Sequence, residues 1–163
     1  MNNAAIYFAK TKPEAIIPSK RIEDGAFDIY ACFNEDFLQI QPHETVLVPT
    51  GIASAFSSDY VAILKERGST GSKGIGQRCG VIDSGYRAEW FVCVTNHNPQ
   101  PLVIAKASVA EQFSECIVYP YEKGIAQCLM VRVPQLEIQE ITHQDLLSIP
   151  SERGTGALGS SGK

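Results

Sequence analysis

The apolar positions of this chain fall in short runs, with turn-forming residues between them. Eight stretches are rich in β-branched and aromatic residues: 4–9 (AAIYFA), 26–32 (AFDIYAC), 44–50 (ETVLVPT), 59–65 (DYVAILK), 78–82 (RCGVI), 88–96 (AEWFVCVTN), 101–105 (PLVIA) and 125–133 (IAQCLMVRV). Pro42-His43, Pro49-Thr50-Gly51, Asp83-Ser84-Gly85 and Asn98-Pro99 punctuate them. Short strands at roughly even spacing predict an all-β barrel or sandwich. Helix-period signal is weak, enough for a turn or two over 106–115 and again over 142–148. The sequence DSGY predicts a hairpin turn joining RCGVI to AEWFVCV. No internal repeat or linker divides the chain, and the apolar pattern stops after Ser148, where a Gly/Ser-rich tail begins.

Size and charge narrow this picture. A chain of 163 residues is one ordinary domain with a real core. No apolar run approaches bilayer length. The opening MNNAAIYFAK lacks a charged region followed by an apolar one, so no secretion signal is expected and a cytoplasmic location is the default. The net charge of −4 disfavours stable binding to a long nucleic acid, yet leaves room for a small anionic ligand. Five cysteines form no CxxC pair and read as reduced thiols, four of them in segments expected to be buried. The three histidines have no ligand spacing.

Three glycine-rich places have the chemistry for a site, and each also has a plainer structural reading. Residues 66–76 (ERGSTGSKGIG) place an arginine, hydroxyls and a lysine among glycines, a composition that wraps a phosphate or simply makes a loop. It lacks the spacing of a Walker A loop. In residues 80–89 (GVIDSGYRAE), Asp83 either bonds its own turn or polarises a water beside Tyr86. The end of the chain, RGTGALGSSGK, is either a disordered tail or an arm that holds an anion.

Taken together and in order, AFDIYA, RGSTG, GVIDSGYR, GIAQ and RGTGALGSSGK resemble the five motifs of the trimeric dUTP pyrophosphatases, the dUTPases. The resemblance spans residues 26–163. It implies a jelly-roll (β-clip) subunit over 1–150 with a flexible glycine-rich arm over 151–163. It also implies a homotrimer whose active sites draw on all three chains, and hydrolysis of dUTP to dUMP and pyrophosphate with Mg²⁺. Such an enzyme limits uracil in DNA and supplies dUMP for thymidylate. Asp83 matches the family's catalytic base, and Tyr86 the ring that lies against the deoxyribose and excludes a 2′-hydroxyl. The hairpin backbone around Gly80, Val81, Ile82 and Phe91 is implied to read uracil, with Gln77 where an amide side chain often stands. Arg67, Gly68, Ser69 and Gln127 match phosphate-contacting positions, and Asp28 the aspartate that holds Mg²⁺ through water. In the arm, Arg153, Gly159, Ser160 and Ser161 match the segment that closes over the phosphates.

This chain departs from the motifs at several points. Gly68 follows Arg67 where a serine is usual, with Ser69 one place later. Leu158 stands at the aromatic position of the arm, Ala88 replaces a glycine, and Lys123-Gly124 replaces the fourth motif's arginine. About 28 residues separate Asn96 from Ile125, which predicts an extra surface excursion. Two rival readings share the scaffold: a non-catalytic or regulatory nucleotide-binding protein, and a dCTP deaminase. The deaminases use a glutamate ten residues beyond the hairpin aspartate, where this chain has Cys93.

Overall fold

The computed structural model describes residues 5–156. Among these residues twelve strands supply most of the regular secondary structure: β1 (Ile6–Lys10), β2 (Phe27–Ile29), β3 (Phe37–Ile40), β4 (Thr45–Pro49), β5 (Ile52–Phe56), β6 (Tyr60–Lys65), β7 (Ile75–Arg78), β8 (Val81–Ile82), β9 (Phe91–Asn96), β10 (Leu102–Ala105), β11 (Ile117–Pro120) and β12 (Ala126–Arg132). They form four small sheets, ordered β1-β5, β11-β10-β3, β2-β12-β6-β8 and β4-β9-β7. All pairings are antiparallel except β10 with β11. The all-β, jelly-roll-like expectation is met. Among the described residues helix is confined to α1 (Gly68–Gly71), a 3₁₀ turn at Ala110–Gln112 and α2 (His143–Ser148).

The sheets close around one core. Trp90, Tyr119, Ile29, Ile40, Leu64, Leu102 and Ile104 are among its fully buried side chains. Phe8 meets Trp90 edge-on at 5.5 Å between ring centroids, a favoured arrangement of the two ring quadrupoles. Strand alternation is cleanest in β5, whose Ile52, Ser54 and Phe56 point inward.

Several expectations need correction. RCGVI is not one strand: Cys79 (φ 59°) and Gly80 (φ 100°) turn the chain out of β7 and into β8. The glycine-rich segment 66–76 is not all loop, because it contains α1 and the start of β7. The helix expected over 106–115 shrinks to the 3₁₀ turn. The excursion after Asn96 is only partly superficial, since Leu102–Ala105 are fully buried while the connections on either side of β10 lie outside. Of the cysteines, Cys32, Cys93 and Cys128 are buried, one fewer than expected. Burial pushes the Cys128 thiol up to about 12, so it stays protonated and inert.

Residues 134–150 are exposed throughout and leave the body of the subunit. The Thr142 hydroxyl caps α2 by accepting the Asp145 N–H at 3.0 Å. Leu136, Ile138, Ile141, Leu146, Leu147 and Ile149 are all exposed here, apolar surface with no cover in the single chain. Among the described residues no helix is long and apolar enough to cross a membrane.

Candidate active site

Two constellations emerge, at different places on the subunit. The first is a pocket of about 560 Å³ whose lining includes Asp28, Arg67, Gly68, Ser69 and Gln127. Strand pairing assembles it, because β12 sets Gln127 opposite Asp28 on one side and opposite Lys65 on the other. Arg67 lies two residues beyond β6 and is the N-cap of α1. Its backbone N–H donates to the Thr70 hydroxyl at 2.9 Å, and that hydroxyl donates back to the Arg67 carbonyl at 3.0 Å. With the backbone fixed, the guanidinium reaches across the sheet edge. Nε lies 2.9 Å from Asp28 Oδ1, Nη2 donates to Oδ2 at 3.1 Å, and Nη1 donates to the Gly124 carbonyl at 2.9 Å. This fork-on-carboxylate geometry holds a planar cation in one direction. A Cβ on Gly124 would lie 3.2 Å from the Asp28 side chain, so glycine there lets the pair pack.

The pocket also contains groups that the motifs did not indicate. Arg21 binds Asp24 through two hydrogen bonds of 3.0 Å, and both line the pocket together with Ser19 and Glu23. The Asp24 carboxylate is held below its usual range by the hydrogen bonds from Arg21, and the Arg21 guanidinium is raised in turn. The charged run SKRIED ahead of β2 was the signal for this rim, and as a surface loop it attracted no reading. Glu66 was missed too. Its carboxylate accepts the Gln77 N–H at 3.0 Å, which lowers its pKa, and its carbonyl accepts the Gln127 amide at 2.7 Å. Gln127 is thus locked with its carboxamide at the pocket.

The second constellation is the hairpin of β7 and β9. Its arms pair from Ile75↔Asn96 to Arg78↔Cys93 and then part. Beyond that point β8 leaves β9 and joins β6, with Val81 opposite Ile63 and Ile82 opposite Ala62. The mouth between the arms therefore has backbone groups outside any ladder. DSGY makes the expected turn, with Tyr86 N–H donating to the Asp83 carbonyl at 3.0 Å. However, it caps this opened mouth rather than a tight two-stranded hairpin. The Asp83 carboxylate is exposed and takes no hydrogen bond from any described residue, so it is not spent on its own turn. Tyr86 is also half-open, its hydroxyl donating to the Glu89 carbonyl at 3.0 Å. Val81 and Phe91 present apolar surface at the mouth. Gln77 reaches in as well: its NH₂ donates to the Arg78 carbonyl at 2.8 Å, and Oε1 is buried without a partner among the described residues. Buried acceptors of this kind normally have a partner.

Glu66 joins the two constellations at Gln77, but Asp83 and Arg67 of one chain stand apart. Continuing the β6–β8 register puts Asp83 level with Val61, six residues short of Arg67. At ~3.3 Å per residue that is up to about 20 Å along the strand. Arg153 is exposed, its Nε donating to the Gly156 carbonyl at 2.9 Å, and it is not in the pocket lining. Leu158, Gly159, Ser160 and Ser161 lie outside the described residues. Among the described residues no group of three or more His, Cys, Asp and Glu side chains is placed to hold a metal ion. Cys93, the position of the deaminase glutamate, is a buried thiol raised by desolvation and unsuited to shuttling protons.

A family model described as dUTPase matches residues 12–162. A deoxyuridine 5'-triphosphate nucleotidohydrolase of Neisseria meningitidis serogroup C is 32% identical over 151 residues, covering 90% of this chain and 87% of that protein. One from Bordetella pertussis is 33% identical over 143 residues, covering 85% and 83%. Among solved structures, a mutant dUTPase of Staphylococcus bacteriophage 80alpha with dUpNHpp matches with a TM-score of 0.77 at 18% identity, covering 98% of this chain and 99% of that one. EIAV dUTPase matches with a TM-score of 0.63 at 19% identity, covering 85% and 98%. The structural likeness speaks for the fold, and the sequence match for kinship: the chain belongs to the dUTPase family.

Proposed function

We propose that this protein hydrolyses dUTP to dUMP and pyrophosphate. The observation that carries the reading is the Asp83 carboxylate, exposed at the hairpin mouth and uncommitted to its turn. There it accepts a proton from a water and directs the water's oxygen at the α-phosphorus. The new O–P bond forms as the bond from the α-phosphorus to its bridging oxygen breaks, and pyrophosphate leaves. The Tyr86 ring lies against the deoxyribose and leaves no space for a 2′-hydroxyl. Gln77 stands beside the mouth, and unpaired backbone around Gly80, Val81, Ile82 and Phe91 supplies the contacts to the base.

Arg67, Gly68, Ser69 and Gln127 receive the phosphates. Their pocket also holds Asp28, Asp24 and Glu23 against Arg21 and Arg67, so its lining carries more negative than positive charge. A bare triphosphate is repelled there, and a triphosphate carrying a divalent cation is accepted. This fits Mg²⁺ bound by the substrate, with Asp28 reaching it through water. When bound, the ion neutralises the triphosphate and fixes its shape.

The up to ~20 Å between Asp83 and Arg67 supports a shared site in a homotrimer, with the hairpin of one chain facing the pocket of its neighbour. The uncovered apolar residues of 134–150 support such an assembly. Residues 1–150 then form the subunit, and 151–163 the arm that closes over the phosphates in the cytoplasm. No stable nucleic-acid partner is required. The test is pyrophosphate release from dUTP with Mg²⁺ by the purified protein. Release at the background rate sinks the proposal and leaves a nucleotide-binding role.

A further inference from the structure

The turn that presents Asp83 has little of its own to hold it still. Residues 83–90 belong to no strand, and the turn itself contains one backbone bond, from Tyr86 N–H to the Asp83 carbonyl. A Cβ on Gly85 would meet nothing within 4 Å, so nothing packs over the tip. A general base in so open a loop would sample many directions, whereas in-line attack needs one.

The restraint comes from Arg87. Its Nη1 donates to the carbonyls of Ser84 at 2.6 Å and Tyr86 at 3.2 Å, both in the turn, and to the carbonyl of Ser54 at 3.2 Å, in the body of the fold. Strand β5 pairs with β1 alone, so its other edge has carbonyls to spare. The hairpin arm fills that edge. Trp90 N–H donates to the Ile52 carbonyl at 2.8 Å, and Arg87 takes the next carbonyl on the same side, that of Ser54. The guanidinium thus does for the turn what a strand neighbour does for a ladder. All three contacts are to backbone oxygens, and Arg87 is not in the lining of the Arg67 pocket. Its charge is used on the turn's carbonyls and not on phosphate.

We infer that Arg87 is a positioning residue: it clamps the Asp83–Tyr86 turn to β5, fixing the direction of the base and the height of the sugar-excluding ring. The inference rests on the roles proposed above for Asp83 and Tyr86. The clamp itself is independent of them.

Two readouts separate these layers. In the ligand-free protein, Arg87→Met accelerates amide exchange at residues 84–87 while exchange in β9 stays as in wild type. In turnover, Arg87→Met lowers kcat on the order of tenfold to a hundredfold. KM for dUTP stays within about threefold, because the uracil contacts and phosphate pocket are intact. The preference for dUTP over UTP narrows, and Arg87→Lys restores part of both losses. Unchanged exchange at 84–87 overturns the clamp. Faster exchange with unchanged kcat and unchanged dUTP preference overturns the positioning role. A wild-type protein that releases no pyrophosphate overturns the assignment of Asp83 and the positioning role with it, and exchange still decides the clamp.

Discussion

Asp83 and Gly80 lie three residues apart and are constrained in opposite ways. The Asp83 carboxylate is left free by its own turn, as the proposed base requires. Asp83→Asn keeps the shape and removes the proton acceptor, so turnover falls on the order of a hundredfold or more while binding of a non-hydrolysable dUTP analogue persists. Wild-type turnover in single-turnover assays would refute the role. Gly80 is held from every side. Its φ of 100° is open to glycine almost alone, and a Cβ would stand 2.9 Å from both the Leu64 side chain and the Leu64 carbonyl. Its own carbonyl accepts the Leu64 N–H at 2.8 Å, so the strand cannot retreat. Gly80→Ala is therefore expected to cost about 1–3 kcal/mol in denaturant unfolding and to disturb the hairpin mouth. Gly68 is the contrast: a Cβ there meets nothing within 4 Å, so the serine usual in the family fits without strain.

At the level of elements, the chain was most legible where a strand carries bulky β-branched or aromatic residues. The segments behind β1, β4, β6, β9, β10 and β12 were all marked by such runs. Strands β3, β5 and β11 were not marked, and of β7 only Arg78 was. IASAF in β5 has Ala-Ser-Ala between its Ile and Phe, a centre of weak strand preference, and FLQI and IVYP are only four residues long. The motifs named candidate residues one by one, but the distance between Asp83 and Arg67 within one chain was not legible, because strand order is a non-local property. Nor does sequence disclose which residues join elements. Glu66 is one: it ties the start of α1 to β7 through the Gln77 N–H and to β12 through the Gln127 amide. Its pKa lies below the ordinary 4.5, chiefly because the Gln77 N–H bonds the charged form. A depressed carboxylate stabilises the fold above its unfolded value and loses that contribution as pH falls through its folded one. Thermal unfolding is thus expected to show wild type more stable than Glu66→Gln by about 1 kcal/mol near neutral pH. The gap closes below pH 4.5. A gap that is constant or widens in acid would remove Glu66 as the tie.

For the whole molecule, the separation of Asp83 from Arg67 makes a prediction that no single-chain enzyme shares. If each site takes its hairpin from one chain and its phosphate pocket from another, two inactive variants can repair one another. Asp83→Asn has an intact pocket and a dead hairpin, and Arg67→Gln the reverse. The second variant removes the cation but not the α1 cap, which is made by the Arg67 backbone and Thr70. Each variant alone forms only defective sites. In trimers assembled at random from equal amounts, half of the hairpins and half of the pockets are intact, so roughly a quarter of the sites combine both under cyclic symmetry. Unfolding the two variants together and refolding the mixture should return about that fraction of wild-type turnover. Mixing them after separate assembly should return little, because the proposed trimer would already have covered the apolar stretch from Leu136 to Ile149, which the single chain leaves exposed. No recovery from the co-refolded mixture would mean that hairpin and pocket serve the substrate from one chain, against the geometry of the β2-β12-β6-β8 sheet.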